Sequence, residues 1–321
     1  MPEKVLIIGL GQIGMGYDLA LDPDEAIYSH ARAFSAHPAF ELSCAVDPNE
    51  SQRDQFIQHY SQPAYADLES ALNEKAASVV VIASPTVNHS KTLATVLANS
   101  NPKVILCEKP LAYDLNEARR MVEACEKSGV KLFVNYIRRT DPGAIEVKHL
   151  IDRGEIVGPI KGVVWYSKGF LHNGSHFFNL LEFWLGAFVK AKMLDAGRVL
   201  GERDYEPDVQ VEFERGKVVF LAAREEAYSH YTIELVSPAG RLRYEKGGEL
   251  IVWQSTQSDE KISSYNVLRD VPDIIPNDMN RYAWNVADHL AEAIAGKPHS
   301  LCTGRQALHT LEAMHQIIAA R

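Results

Sequence analysis

Four groups of residues have the types and spacing to do chemistry. The first is Gly9-Leu10-Gly11-Gln12-Ile13-Gly14, a G-x-G-x-x-G pattern that follows directly on the apolar run Val5 to Ile8. Glycines in that setting permit a tight turn, let backbone approach a pyrophosphate, and leave N–H groups at a helix start facing the anion. The second is Asp47, which ends the apolar run Leu42 to Val46. A carboxylate there accepts hydrogen bonds from ribose hydroxyls and repels a 2′-phosphate, so NAD is expected and NADP is less favoured. The alternative for Asp47 is a turn residue before Pro48. The third is Lys109, a charge placed where the strand-like Val104 to Leu106 gives way to Pro110. Pro110 restricts it to extended conformations. Carboxyl ends of parallel strands hold ligands, so Lys109 either points at the cofactor crevice or is a solvated lysine paired with Glu108. The fourth is His172-Asn173-Gly174-Ser175-His176. Two histidines at that spacing match metal ligands on one helix turn, but Gly174 disfavours a helix and no third ligand is apparent, so no metal is expected. A histidine before a helix also serves as a cap or core residue.

The elements that must position these residues follow from hydrophobic patterning. Up to about Tyr136, short runs of Val, Ile and Leu alternate with helical stretches: Val5 to Ile8, Leu42 to Val46, Val79 to Ile82, Val104 to Leu106 and Leu132 to Val134. That alternation predicts a doubly wound parallel sheet covered on both faces. One intervening helix is bounded by Asp114 and Glu117 at its start and by Gly129 at its end. Beyond Ile137, strands succeed one another with only turns between them, as in Asp208 to Arg224 around Glu214-Arg215-Gly216, and Tyr231 to Gln254. This predicts a second, α+β domain with a large, mostly antiparallel sheet, closed by helices from about Asn280 to Ala295 and Arg305 to Ala320. The expected division is 1–136 for the dinucleotide-binding Rossmann domain and 137–321 for substrate binding and oligomerisation. One irregularity stands out. Asp47 lies 33 positions after Gly14, where about 20 is usual. The surplus is assigned to Met15 to Tyr28, with Gly16, Asp18, Asp22, Pro23 and Asp24, as a surface loop that either covers the cofactor or is an inert insertion.

Bulk composition removes other functions. The 321 residues are 46% hydrophobic and 23% charged, the mix of a folded globular chain of about two domains. A net charge of -9 without a basic stripe excludes nucleic acid as a partner. Cys44, Cys107, Cys125 and Cys302 are scattered, without a C-x-x-C pair, and read as reduced core residues. No signal-peptide pattern or membrane-length apolar run is present, so a cytoplasmic protein without membrane contact is expected.

Taken with further motifs, the chain resembles the glucose-fructose oxidoreductase, inositol dehydrogenase and MocA (Gfo/Idh/MocA) family of NAD(P)-dependent oxidoreductases. The motifs are the glycine fingerprint, Ala83-Ser84-Pro85-Thr86-Val87-Asn88-His89, Glu108-Lys109-Pro110, Asn135-Tyr136-Ile137-Arg138-Arg139, and Asn173 to His176 before Phe177 to Gly186. The resemblance implies that Ser84, Pro85, Thr86 and His89 line the cofactor with Glu108 close by. It implies that Lys109 polarises the reacting oxygen, that His176 exchanges its proton, and that Tyr136 and Arg138 face the substrate. The implied substrate is a secondary alcohol or ketone of a sugar, sugar nucleotide or polyol, and the implied assembly is a homodimer or homotetramer through the C-terminal sheet. The chemistry agrees: imidazole titrates near neutrality, and an ammonium stabilises a developing alkoxide. Where many relatives carry Asp four positions before the histidine, this chain has His172. Either His176 is the main proton carrier, or His172 or Asn173 substitutes, or the substrate differs. Reduction of an imine or tetrapyrrole and a non-catalytic dinucleotide sensor are the alternative functions.

Overall fold

The computed structural model describes every residue except Pro23, Glu202, Arg203, Glu225, Glu226, Ser263 and Arg321. It divides into two compact units, one of residues 1–140 with 280–309 and one of 141–279 with 310–321. The return of 280–309 to the first unit corrects the single boundary after 136. The helix over 282–294 packs its apolar face, Ala283, Val286, Ala287 and Leu290, into the first unit's core, and no local sequence signal marks that long-range choice.

In the first unit the order is β1 (Glu3–Ile8), α1 (His30–Ala36), β2 (Phe40–Val46), α2 (Glu50–Tyr60), β3 (Ala64–Tyr65), α3 (Leu68–Glu74), β4 (Val79–Ile82), α4 (His89–Asn99), β5 (Val104–Cys107), α5 (Leu115–Ser128) and β6 (Lys131–Val134). The second unit holds α6 (Pro142–Asp152), β7 (Ile160–Tyr166), α7 (Ser175–Leu185), β8 (Phe188–Leu200), β9 (Asp204–Phe213), β10 (Gly216–Ala222), β11 (Thr232–Ser237), β12 (Gly240–Glu245), β13 (Leu250–Ser258), β14 (Asn266–Leu268) and β15 (Asp273–Ile275). The chain then forms α8 (Tyr282–Ile294), β16 (Cys302–Thr303) and α9 (Gly304–Ala319).

The first sheet runs β16-β6-β5-β4-β1-β2-β3, parallel throughout except for the short β16 against β6. Val5, Ile7, Val79, Val81, Val104 and Leu106 are wholly buried, as expected of parallel strands covered on both faces. The predicted helix start holds: the Asp114 carboxylate accepts from Glu117 N at 2.9 Å, and Gly129 ends α5 in the left-handed region at φ 69°. Parallel register brings Gly9, Asp47, Ser84, Glu108 and Asn135 to one edge, each within two residues of its strand's carboxyl end.

The second unit's sheet runs β14-β13-β12-β11-β7-β10-β9-β8, with β15 beside β13, and is antiparallel except for β7 against β10. Its predicted hairpin is present, with Phe213 paired to Gly216. The edge strand β8 has no predicted counterpart. Its side chains are exposed or half-buried along the whole length, so it lacks the alternation that marks a half-buried strand.

The surplus before Asp47 is an excursion between the glycine turn and α1. The Ile13 carbonyl accepts from His30 N at 3.0 Å and the Gly14 carbonyl from Ala31 N at 2.9 Å. In an uninterrupted helix those donors would be Tyr17 and Asp18. His30 therefore occupies the place of Tyr17, and the excursion adds 13 residues without changing the helical register. Asp18, wholly buried, closes its neck: the carboxylate accepts from Tyr28 N at 2.6 Å, Ser29 N at 2.8 Å and Ser29 Oγ at 2.6 Å, with Arg32 Nε 3.7 Å away. Ile27 exchanges backbone hydrogen bonds with Asn280 and Ala283, and Tyr28 stacks on Tyr282 at 5.2 Å. Pro23 of this stretch lies outside the described residues. Replacing Asp18 by Ala strands two buried donors of Ser29 and the half-buried Tyr28 N–H, so urea denaturation is expected to show a loss of about 2 to 4 kcal/mol. A loss below about 0.5 kcal/mol would mean the neck closes without it.

Candidate active site

The fingerprint turn is set by two different steric demands. A Cβ on Gly14 would lie 2.0 Å from the Gly9 carbonyl oxygen, so that glycine is required by the fold itself. A Cβ on Gly11 would meet no protein atom within 4 Å. Gly11 thus keeps an open surface that only an arriving ligand needs. Gln12 and Ile13 complete the turn, and the Gln12 carbonyl accepts from Tyr17 N at 2.9 Å. Asp47 is half-buried at the end of β2; one carboxylate oxygen takes Leu10 N at 2.7 Å and the other Asn49 N at 2.8 Å. Each oxygen retains a lone pair for a ribose hydroxyl, and the first bond ties the carboxylate to the glycine turn.

After β4, Ser84 is half-buried, Pro85 exposed and Thr86 half-buried. Ser84 Oγ is buried and has no hydrogen-bond partner among the described residues. His89 departs from the expected direct cofactor contact. It is wholly buried, with Nε2 2.9 Å from the Ser84 carbonyl and Nδ1 3.2 Å from the Leu111 carbonyl. Burial lowers its pKa despite those carbonyls, which keeps the ring neutral and lets one nitrogen donate. His89 therefore sits between the Ser84 loop and the segment after Pro110 and donates to one of the two carbonyls.

Glu108 follows β5, and its Oε1 accepts from both His30 Nε2 at 2.8 Å and Asn135 Nδ2 at 2.6 Å. Burial alone would raise its pKa, but these hydrogen bonds and the nearby charges of His30 and Lys109 hold the carboxyl below its usual range. Lys109 comes next, joined to Pro110 by a cis peptide. Tyr136 is buried, and Arg138 lies half-buried in the single turn Ile137–Thr140. Its neighbour Arg139 is buried and donates from Nε to the Ser300 carbonyl at 3.2 Å.

In the second unit, the expectation of a non-helical stretch around Gly174 is overturned. Gly169–Gly174 forms a π-helical turn that runs straight into α7. Gly174 is there for packing: a Cβ would press on the Phe170 ring at 3.1 Å and the Tyr166 ring at 3.4 Å. Two inward carboxylates of β9 hold the turn. Asp204 accepts from Leu171 N and His172 N at 2.9 Å each, and Glu206 accepts from Gly169 N at 3.3 Å and Arg198 Nε at 2.6 Å. Burial raises the Asp204 pKa, and the backbone donors oppose that. Gly169, at φ 93°, is required because a Cβ would lie 2.1 Å from Asp204 Oδ2. His172 is exposed, Asn173 donates to Tyr231 Oη at 2.7 Å, and His176 is buried in the first turn of α7. The structure thus brings His172, Asn173 and His176 together in one unit, and the fingerprint, Asp47, Ser84 and Glu108 in the other. His30, Asn135, Asp204, Glu206 and Tyr231 escaped prediction as site residues. Asp204 and Glu206 carried a signal: two carboxylates two apart in a strand share one face.

Residues 4–136 match the Gfo/Idh/MocA model, described as an oxidoreductase family with an NAD-binding Rossmann fold. The match is to the family's NAD-binding Rossmann domain. The NAD-binding oxidoreductase is similar to the NAD-dependent scyllo-inositol 2-dehydrogenase of Bacillus subtilis, at 26% identity over 96% of this chain and 91% of that one. Its fold is shared with a putative NADPH-dependent oxidoreductase from Desulfitobacterium hafniense, at 17% identity and TM-score 0.81, covering 100% and 95% of the two chains. It is also shared with the WlbA dehydrogenase from Bordetella pertussis in complex with NADH and UDP-GlcNAcA, at 17% identity and TM-score 0.76, covering 99% and 96%. The oxidoreductase's own residues fit the dinucleotide: Gly11 leaves room for the pyrophosphate, and the buried Ser84 Oγ awaits a partner. No described helix is long and apolar enough to cross a membrane. Gly11→Ala is expected to leave the melting temperature unchanged and weaken NAD binding by about tenfold or more, measured by titration. Gly14→Ala is expected to lower the melting temperature itself, and equal effects of the two would contradict the steric distinction.

Proposed function

We propose that this oxidoreductase oxidises a secondary alcohol of a sugar, sugar nucleotide or polyol to the ketone, reversibly, with NAD as its cofactor. The observation that carries this reading is Lys109, directly after Glu108 at the carboxyl end of β5, in the sheet whose first strand delivers the glycine turn. Bound NAD supplies the hydride acceptor. The Lys109 ammonium donates to the substrate oxygen and stabilises negative charge as it develops there. His176 takes the hydroxyl proton, a role suited to imidazole near neutrality. Asp204 and Glu206 fix the turn ahead of His176, and Asn173 with Tyr231 offers hydroxyl-binding groups from the same unit. Tyr136 and Arg138 are proposed to face the substrate, and His172 stands as a secondary candidate for the proton pathway. The names of the inositol and UDP-sugar relatives support a polyhydroxylated substrate.

We propose a homodimer or homotetramer formed through the second unit's sheet, and a cytoplasmic enzyme. Val163 and Trp165 of β7 are 37% and 39% exposed, and pair across the parallel register with Val219 and Leu221 of β10. An apolar stripe on an open sheet face supports self-association.

A screen for NADH or NADPH formation with sugars, nucleotide sugars and polyols is expected to give activity with NAD. Lys109→Met is expected to reduce kcat by about 100-fold or more while binding NAD within about twofold of the parent. NAD binding without turnover of any such substrate, or full activity of Lys109→Met, defeats the mechanism. Trp165→Arg is expected to shift the protein to a smaller species in sedimentation velocity; an unchanged distribution rejects this interface.

A further inference from the structure

His30, Glu108 and Asn135 form a cluster that the proposed proton and hydride chemistry does not use. They come from α1, the end of β5 and the end of β6, and His30 and Asn135 are each 2% exposed. Glu108 Oε1 receives both neighbours. An ionised carboxylate only accepts, so His30 carries its proton on Nε2 and donates. The Asn135 amide is equally constrained. Turned over, it would set two acceptor oxygens 2.6 Å apart, so its nitrogen must face Glu108. That orientation turns Oδ1 away, and Oδ1 is buried without a hydrogen-bond donor among the described residues. A buried acceptor left without a donor is disfavoured and calls for an explanation. The cluster's location supplies one, because open α/β sheets bind ligands outside the carboxyl ends of their strands.

We propose that Asn135 Oδ1 accepts a hydrogen bond from the nicotinamide riboside half of the bound dinucleotide, and that His30 is a positioning residue holding the amide in place through Glu108. The placement at that half rests on the reading of Lys109 beside Glu108. The donor is either the carboxamide N–H or a ribose hydroxyl; both offer the same hydrogen-bond chemistry. His30 reaches Glu108 because α1 starts in register with the glycine turn after the excursion, so the added residues and this contact share one anchor, the Asp18 neck.

The test is equilibrium binding without turnover, using NAD, 3-acetylpyridine adenine dinucleotide, ADP-ribose and AMP. If the carboxamide is the donor, the parent binds NAD about tenfold more tightly than the acetylpyridine analogue, and Asn135→Leu removes that preference. If a ribose hydroxyl is the donor, Asn135→Leu weakens NAD, the analogue and ADP-ribose by similar factors and leaves AMP unchanged. His30→Leu is expected to reproduce the Asn135→Leu result, and His30→Gln, which keeps a donor near Nε2, to restore parental binding. Asn135→Ser, with thermal melting alongside, guards against a variant that fails to fold. The proposal is overturned if folded Asn135 variants bind all four ligands like the parent, if AMP weakens equally, or if His30→Gln is as impaired as His30→Leu. Because none of these measurements uses turnover, failure of the alcohol-oxidation reading shows only in the kinetic screen, as no turnover of any substrate or as full activity of Lys109→Met, with the binding pattern intact.

Discussion

The first unit is built around one close approach, that of the Gly14 backbone to the Gly9 carbonyl at the end of β1. No side chain fits in that gap, and its absence folds the turn back tightly after the strand. The turn presents Leu10 N to Asp47, which couples the glycine residues to the end of β2. It also leaves the Ile13 and Gly14 carbonyls aligned to receive His30 and Ala31, which fixes where α1 begins. From α1, His30 reaches Glu108, and Glu108 reaches Asn135. A steric constraint at one strand end is thereby carried by hydrogen bonds to the ends of β2, β5 and β6.

The second unit solves its positioning problem differently. Its histidine-bearing segment is a π-helical turn, a form in which the usual backbone ladder is locally offset. The free N–H groups of such a turn need acceptors, and β9 supplies two carboxylates on one face for them. Burial works against ionised carboxylates, yet several backbone donors and Arg198 surround the pair. The outcome is a rigid entry into α7, where His176 sits.

The parallel sheet was legible because strands buried on both faces read as unbroken apolar runs, and the α5 boundaries because Asp114 and Gly129 act locally. The fingerprint was legible as well, since the close approach that demands glycine at position 14 is to Gly9, within the same six residues. What stayed hidden depends on partners distant in sequence. His30 looks like any residue after a capping serine until Glu108, 78 positions later, is placed beside it. Ser84, Asn135 and His89 sit in motifs whose letters do not say which atoms are already occupied; both His89 ring nitrogens face main-chain carbonyls. The return of α8 to the first unit, and the exposed strand β8, carry no local pattern at all.

The in-register excursion between the glycine turn and α1 has a consequence for how this protein can vary. Closing a loop of that size costs about 2 kcal/mol of chain entropy, and the cost grows only slowly with length. Because helical hydrogen bonding resumes at His30 as though nothing intervened, the excursion behaves like a cassette. Lineages can lengthen, shorten or decorate it while the glycine turn, α1 and the Glu108 contact keep their coordinates. Novelty can thus accumulate beside a cofactor site without reopening the geometry that the cofactor requires.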